Sequence, residues 1–172
     1  MSSDEPADAR VSGTLRAADG EGIVHLEAHF ATGIDDLWSA LTDPQRLARW
    51  LGEVEGDRRE GAELRAQFFA SGWEGTCFVE VCSPPLRLLL QTRSEDGSAG
   101  VFDITLTAVD DGTDLVLEDR GVPIAQIAAY GAGDQIHLED LAAYLAGRER
   151  CDARARFQEL HPAYQQSAVE SA

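Results

Sequence analysis

The sequence contains no lysine: all 14 basic residues are arginine, set against 31 acidic ones, for a formal net charge of -17. A chain this acidic repels nucleic acid and anionic membrane surfaces unless a local basic patch intervenes, and Arg58 with Arg59 is too small a patch. Also missing is any run near the ~20 apolar residues of a membrane span. The opening MSSDEPADAR lacks the basic and apolar segments of a secretion signal, so a cytoplasmic protein is expected. Cysteine is scarce. Cys77, Cys82 and Cys151 form an odd set without paired metal spacing, which points to free thiols rather than disulfides or zinc. No complete catalytic or metal signature appears, so residue chemistry alone names no reaction and implies no cofactor.

What is present is a core. With 172 residues, 44% of them hydrophobic, the chain is long enough for one globular domain with tails. Residues 1–20 are rich in acidic and small residues without a sustained period and read as a flexible acidic tail. Residues 21–149 read as the domain. Residues 150–172 read as an extension with a short helix near 152–160 and disorder after it.

The run GIVHLEAHFA alternates Val24, Leu26, Ala28 and Phe30 on one face with Ile23, His25, Glu27 and His29 on the other, a half-buried strand. His25, Glu27 and His29 put three metal-capable side chains on one side of it. A solvated outer face is the plainer reading, because a metal site needs an enclosing shell. Residues 35–41 and 44–51 read as two short helices, with Asp43 as cap and Pro44 at the first helical position of the second. Leu37, Trp38, Leu41, Leu47 and Trp50 give them an apolar surface that needs a sheet to lie on.

Six strand candidates follow, at residues 54–58, 62–70, 75–81, 86–93, 99–109 and 113–120, separated by turn signals such as Glu60-Gly61, Ser71-Gly72 and Asp110-Asp111-Gly112. They predict an antiparallel meander. Alternation groups Leu64, Ala66 and Phe68; Leu86, Leu88 and Leu90; Phe102, Ile104 and Leu106; and Leu115 with Leu117 on inward faces. Asp119 continues the phase of Leu115 and Leu117. It would point inward if the strand stayed regular, needing a partner or a raised pKa, whereas a strand end open to water is the competing reading.

Residues 133–147, GDQIHLEDLAAYLAG, form the clearest amphipathic helix, with Asp134 as N-cap and Gly147 as stop. Leu138, Leu141, Ala142 and Leu145 make its apolar stripe, and His137, Tyr144 and Arg148 lie along its flank.

The order of one strand, two short helices, six strands and a long closing helix resembles the helix-grip fold of START domains, pollen-allergen-like proteins and polyketide cyclases, the SRPBCC superfamily. FATGIDDLWSALTDPQRLARWL, with Trp38, Thr42, Asp43, Pro44 and Trp50, resembles its entry strand and helix pair. GTDLVLEDRG, residues 112–121, resembles its last strand, and the stretch with Leu138, Leu141, Tyr144, Leu145 and Gly147 resembles its gripping helix. The branch it most resembles is the group similar to the C-terminal domain of the heat shock protein 90 ATPase activator, over roughly residues 22–147. That branch often carries Trp after the glycine at the helix start, where this chain has Asp134.

The resemblance implies an α+β fold, a curved antiparallel sheet of about seven strands wrapped around the last helix, with a cavity for an apolar small molecule between them. Expected lining residues are Trp38, Phe68, Trp73, Phe78, Phe102, His137, Leu141 and Tyr144. A second function, a polyketide cyclase or aromatase, would use His137 as acid or base, with Tyr144 or Asp119 orienting the substrate. A third, co-chaperone activity, rests on the branch's name. Neither nucleic acid nor membrane insertion is expected, and nothing in the pattern indicates a homodimer.

Overall fold

Alternation in strand β2 (Glu21–Phe30) sets which side of the sheet is inside: Val24, Leu26, Ala28 and Phe30 are buried, and His25, Glu27 and His29 face outward. The computed structural model describes residues 10–171. After β2 come helices α1 (Ile34–Thr42) and α2 (Pro44–Trp50). Asp43 caps α2 by accepting a 2.9 Å hydrogen bond from the Gln45 N–H, with Pro44 in the first turn. The Trp50 indole N–H donates to the Ala40 carbonyl at 2.9 Å, tying the two helices together.

Strands β3 (Gly52–Gly56), β4 (Glu63–Phe68), β5 (Glu74–Ser83), β6 (Arg87–Ser94), β7 (Ala99–Val109) and β8 (Gly112–Val122) form the expected meander, each antiparallel to the next. Strand β8 then pairs with β2. The long helix α3 (Ile127–Leu145) lies against the inner face, where Ile136, Leu138 and Leu141 meet Leu26, Leu115 and Leu117 in one buried core. A second cluster of Leu64, Cys77, Val79 and Leu88 sits under the far strands.

Among the described residues the sheet has nine strands rather than about seven, in the order β3-β4-β5-β6-β7-β8-β2-β1-β9. Strand β1 (Val11–Ala18) lies within the stretch expected to be tail. Its pattern is weak because Leu15 is its one fully buried large side chain, and pairing with β2 defines it instead. The Asp19-Gly20 turn, with φ of 53° and 79°, is the two-residue hairpin signal that joins them. Residues 1–9 of that expected tail lie outside the described residues.

At the other end, helix α4 (Ala153–Gln166) runs past the short helix expected and packs on α3, and β9 (Val169–Ser171) adds parallel to β1 where disorder was expected. Leu86 also departs from its expected face. It sits in the turn before β6 and is 55% exposed, because strand alternation begins at Arg87.

Helix α3 begins seven residues before the expected cap. Asp134 is therefore a mid-helix residue, and the N-cap position belongs to Gln126 without a side-chain bond. Gly131 and Gly133 lie inside the helix, each costing about 1 kcal/mol relative to alanine. Packing overrides that cost. A Cβ on Gly131 would come within 3.0 Å of the Tyr164 ring of α4, so the close approach of the two helices needs glycine there.

Candidate functional site

Between the inner face of the sheet and helices α3 and α4 lies a cavity of about 760 Å³. The sheet contributes Phe102 and Phe68, joined by Trp73 from the turn before β5; α3 contributes Tyr130, Asp134 and His137; and α4 contributes Phe157. A smaller space of about 120 Å³ shares Phe68, Phe102, Asp134 and His137 with it and reaches toward Leu41, Trp50 and Leu138. Large side chains close the core near α1 and α2, while residues 129–137 of α3 line open space.

Phe68 organises the aromatic wall. Its ring centroid is 5.1 Å from that of Trp73 and 5.1 Å from that of His137, which it meets edge-on. The Trp73 indole N–H is satisfied by Ser94 Oγ at 2.7 Å, leaving an apolar face to the interior.

Set into this wall are three polar groups that no sequence motif links. Asp119, on β8, is 5% exposed, and Asp134 and His137, on α3, are 7% and 8% exposed. The two carboxyl groups hydrogen-bond to each other, a contact that exists only while one of them holds a proton. Burial raises Asp119 to about 6; burial and the neighbouring Asp119 charge hold Asp134 well above the carboxylate range. Asp119 Oδ2 and Asp134 Oδ2 have no other partner. Burial pushes His137 down to about 4, so it is neutral near pH 7. Its Nε2 lies 3.2 Å from Ser71 Oγ, and its Nδ1 is unpartnered.

Of the expected site residues, Phe68, Trp73, Phe102 and His137 line the cavity and Asp119 joins them. Leu141 is fully buried in the core, and Trp38 packs half-buried against both hydrophobic clusters. Tyr144 lies two turns down α3 from His137, where its hydroxyl accepts from Arg46 Nε at 2.9 Å. Phe78 is 39% exposed on the outer face, since Cys77 and Val79 take the inward positions of β5. Asp134 and Tyr130 are the cavity residues that sequence reasoning missed. The signal was the spacing of four from Tyr130 to Asp134 and three from Asp134 to His137 along one helix face, hidden by the glycines between the first two.

The outer-face trio does not converge. His25 Nδ1 lies 2.9 Å from Glu118 and its Nε2 3.1 Å from Glu27, with Arg16 also bound to Glu118. His29 turns to Asp114 at 2.8 Å, a bond that raises its pKa. Among the described residues no group of three or more His, Cys, Asp or Glu side chains is arranged to hold a metal ion. No described helix is long and apolar enough to cross a membrane.

The family described as Activator of Hsp90 ATPase homolog 1-like protein matches residues 31–146, from the end of β2 through α3. The chain belongs to this family. Its sheet and closing helix are the helix-grip fold of the SRPBCC superfamily. Among solved structures it is similar to CalU16 from Micromonospora echinospora, at 24% identity and a TM-score of 0.74, covering 91% of this chain and 96% of that one. It is similar to a protein of Bordetella parapertussis encoded by gene BPP1335, at 21% identity and a TM-score of 0.74, covering 99% and 97%. Both likenesses concern the fold. DynU16, a protein in the dynemicin biosynthetic locus, is 29% identical with a TM-score of 0.70 over 78% of this chain and 51% of that chain. No curated protein matches the sequence. The family match stops before α4, so the Phe157 wall of the cavity comes from outside the matched segment.

Proposed function

We propose that this protein binds a lipophilic small molecule in the cavity between the curved sheet and helices α3 and α4. The observation that carries the reading is the cavity itself. At about 760 Å³ it is of a size suited to a small organic ligand, and its lining sets the aromatic rings of Phe68, Trp73, Phe102, Tyr130 and Phe157 beside polar groups that include Asp119, Asp134 and His137. The similarity to a protein in a biosynthetic locus is in keeping with such a ligand.

Gly133 provides the test. It lines the cavity in mid-helix, and a Cβ there would meet nothing within 4 Å. Gly133→Phe should therefore fill the cavity while improving helix propensity by several tenths of a kcal/mol. Wild type should take up an apolar fluorescent dye, and Gly133→Phe should bind it at least about tenfold more weakly with its melting temperature unchanged or raised. Equal dye binding by both proteins would contradict the reading.

The Asp119 and Asp134 pair favours a second reading, an enzyme of the polyketide cyclase type acting in the same cavity. A pair that shares one proton offers an acid beside a base, and neutral His137 can accept a proton. Turnover lost on Asp134→Asn with ligand binding kept would favour this reading, and turnover unaffected by that change would count against it. Stimulation of a chaperone ATPase has only the family's description behind it.

A further inference from the structure

We infer that the carboxyl pair of Asp119 and Asp134 is the anchor for a protonated amine, so that the cavity selects lipophilic amines over neutral ligands of the same shape. The inference rests on the proposed binding function and specifies the ligand class.

Both side chains line the cavity and are more than nine-tenths buried, yet each keeps an oxygen with no partner outside the pair. The influences on them are burial and each other, with no arginine among the causes. Arg120, next to Asp119 on β8, is also among the residues lining the cavity, but its guanidinium is engaged by Asp103, to which Nη2 donates at 2.6 Å. A pair holding one proton thus carries one negative charge in a buried wall, and among the described residues no arginine contributes to either carboxyl's shift. Ammonium groups satisfy such a charge better than hydroxyls, because they bring an opposite charge as well as donors.

The surroundings act in the same direction. From α3, Tyr130 faces the pair, and its pKa is raised by burial, Asp119, Asp96 and Asp134 in that order. Tyr164 of α4 is raised to about 12 by burial, Asp134 and Glu139. His137 is neutral near pH 7. One lining group acts the other way: Arg154 of α4, a cation, reaches the cavity as an exposed side chain. With a net charge of -17 the field of the whole chain also draws cations.

Uptake at pH 7 moves no covalent bond: the ammonium ion meets the singly charged pair, and the shared proton stays where it is. As pH falls through about 6 Asp119 takes up a proton, the pair becomes neutral and the attraction fades. Below that point an amine binds only by displacing a proton to solvent.

The test compares anthracenylmethylamine with anthracenylmethanol, matched in shape and both fluorescent, by calorimetry and fluorescence on the full chain at pH 7 and pH 5. The amine should bind wild type at least about tenfold tighter than the alcohol at pH 7, the low end for a hydrogen bond to a buried charge. The advantage should shrink at pH 5, with a proton released per amine bound. Asp119→Asn should abolish the preference, because Asp134, kept protonated by burial, then leaves the wall neutral, whereas Asp134→Asn, which mimics the protonated partner, should keep it. Equal affinities in wild type, or a preference that survives Asp119→Asn, would overturn the inference while leaving the binding function standing. If neither compound binds, the proposed function falls and the inference with it. The wild-type pH comparison reads the preference independently of whether either variant folds.

Discussion

At Asp119 and His137 burial moves two ionisations in opposite directions, and their effects on stability oppose each other. Asp119 ionises near 6 rather than 3.8, so the folded chain holds a proton that the unfolded chain has lost, and stability falls as pH rises through that window. His137 stays neutral down to about 4 rather than 6.5, so the unfolded chain gains a proton that the folded chain refuses, and stability falls as pH drops through that window. Each shift corresponds to on the order of 3 kcal/mol at most. Urea denaturation between pH 4 and 6.5 should therefore show Asp119→Asn gaining stability relative to wild type as pH rises, and His137→Gln gaining relative to wild type as pH falls. Parallel profiles for all three proteins would contradict the assigned burial. Asp119 was legible in the sequence through the phase of Leu115 and Leu117. Asp134 was not, because an aspartate after a glycine at an apparent helix start has the local appearance of a cap, and only the approach of α4 reveals that the helix starts earlier.

Between elements, the contact that holds α4 in place is narrow and depends on small residues. The Tyr164 hydroxyl donates to Gln135 Oε1 at 2.7 Å, and a Cβ added to Gly13 of β1 would fall 2.0 Å from the same hydroxyl oxygen. Arg156 binds Glu139 at 2.7 and 2.8 Å, and Asp140 accepts from the Cys151 N–H at 2.9 Å, fixing the turn between α3 and α4. Gly13→Ala should displace Tyr164 and cost about 1–3 kcal/mol, as overpacking does. Tyr164→Phe should cost only about 1 kcal/mol, the lost hydrogen bond. Thermal melts of the two variants check the order, and an undiminished melting temperature for Gly13→Ala would show that α4 does not pack as described. The six meander strands were legible because polar and apolar residues alternate across them and glycine turns separate them. Strands β1 and β9 carry too few buried side chains for alternation to register, and pairing with β2 and β1 makes them strands.

For the whole molecule, the division of labour is between a core that closes and a cavity that does not. Part of the aromatic wall was foreseeable from pattern: Phe68 and Phe102 fall where inward alternation places them and His137 on the helix flank, whereas Trp73, in the turn before β5, was expected from the family resemblance alone. Phe78 fell on the outer face because β5 runs in the opposite phase, and Tyr144 was drawn off by Arg46. The walls from α4 and the carboxyl pair depend on contacts between residues far apart in the chain, which local pattern does not encode. The central claim is that the cavity holds a small molecule. Wild type and Gly133→Phe, expressed in the same cells and purified side by side, can be weighed by native mass spectrometry. Wild type should carry an added small-molecule mass, removed by organic solvent, that Gly133→Phe lacks; the same mass on both proteins, or on neither, would contradict the account.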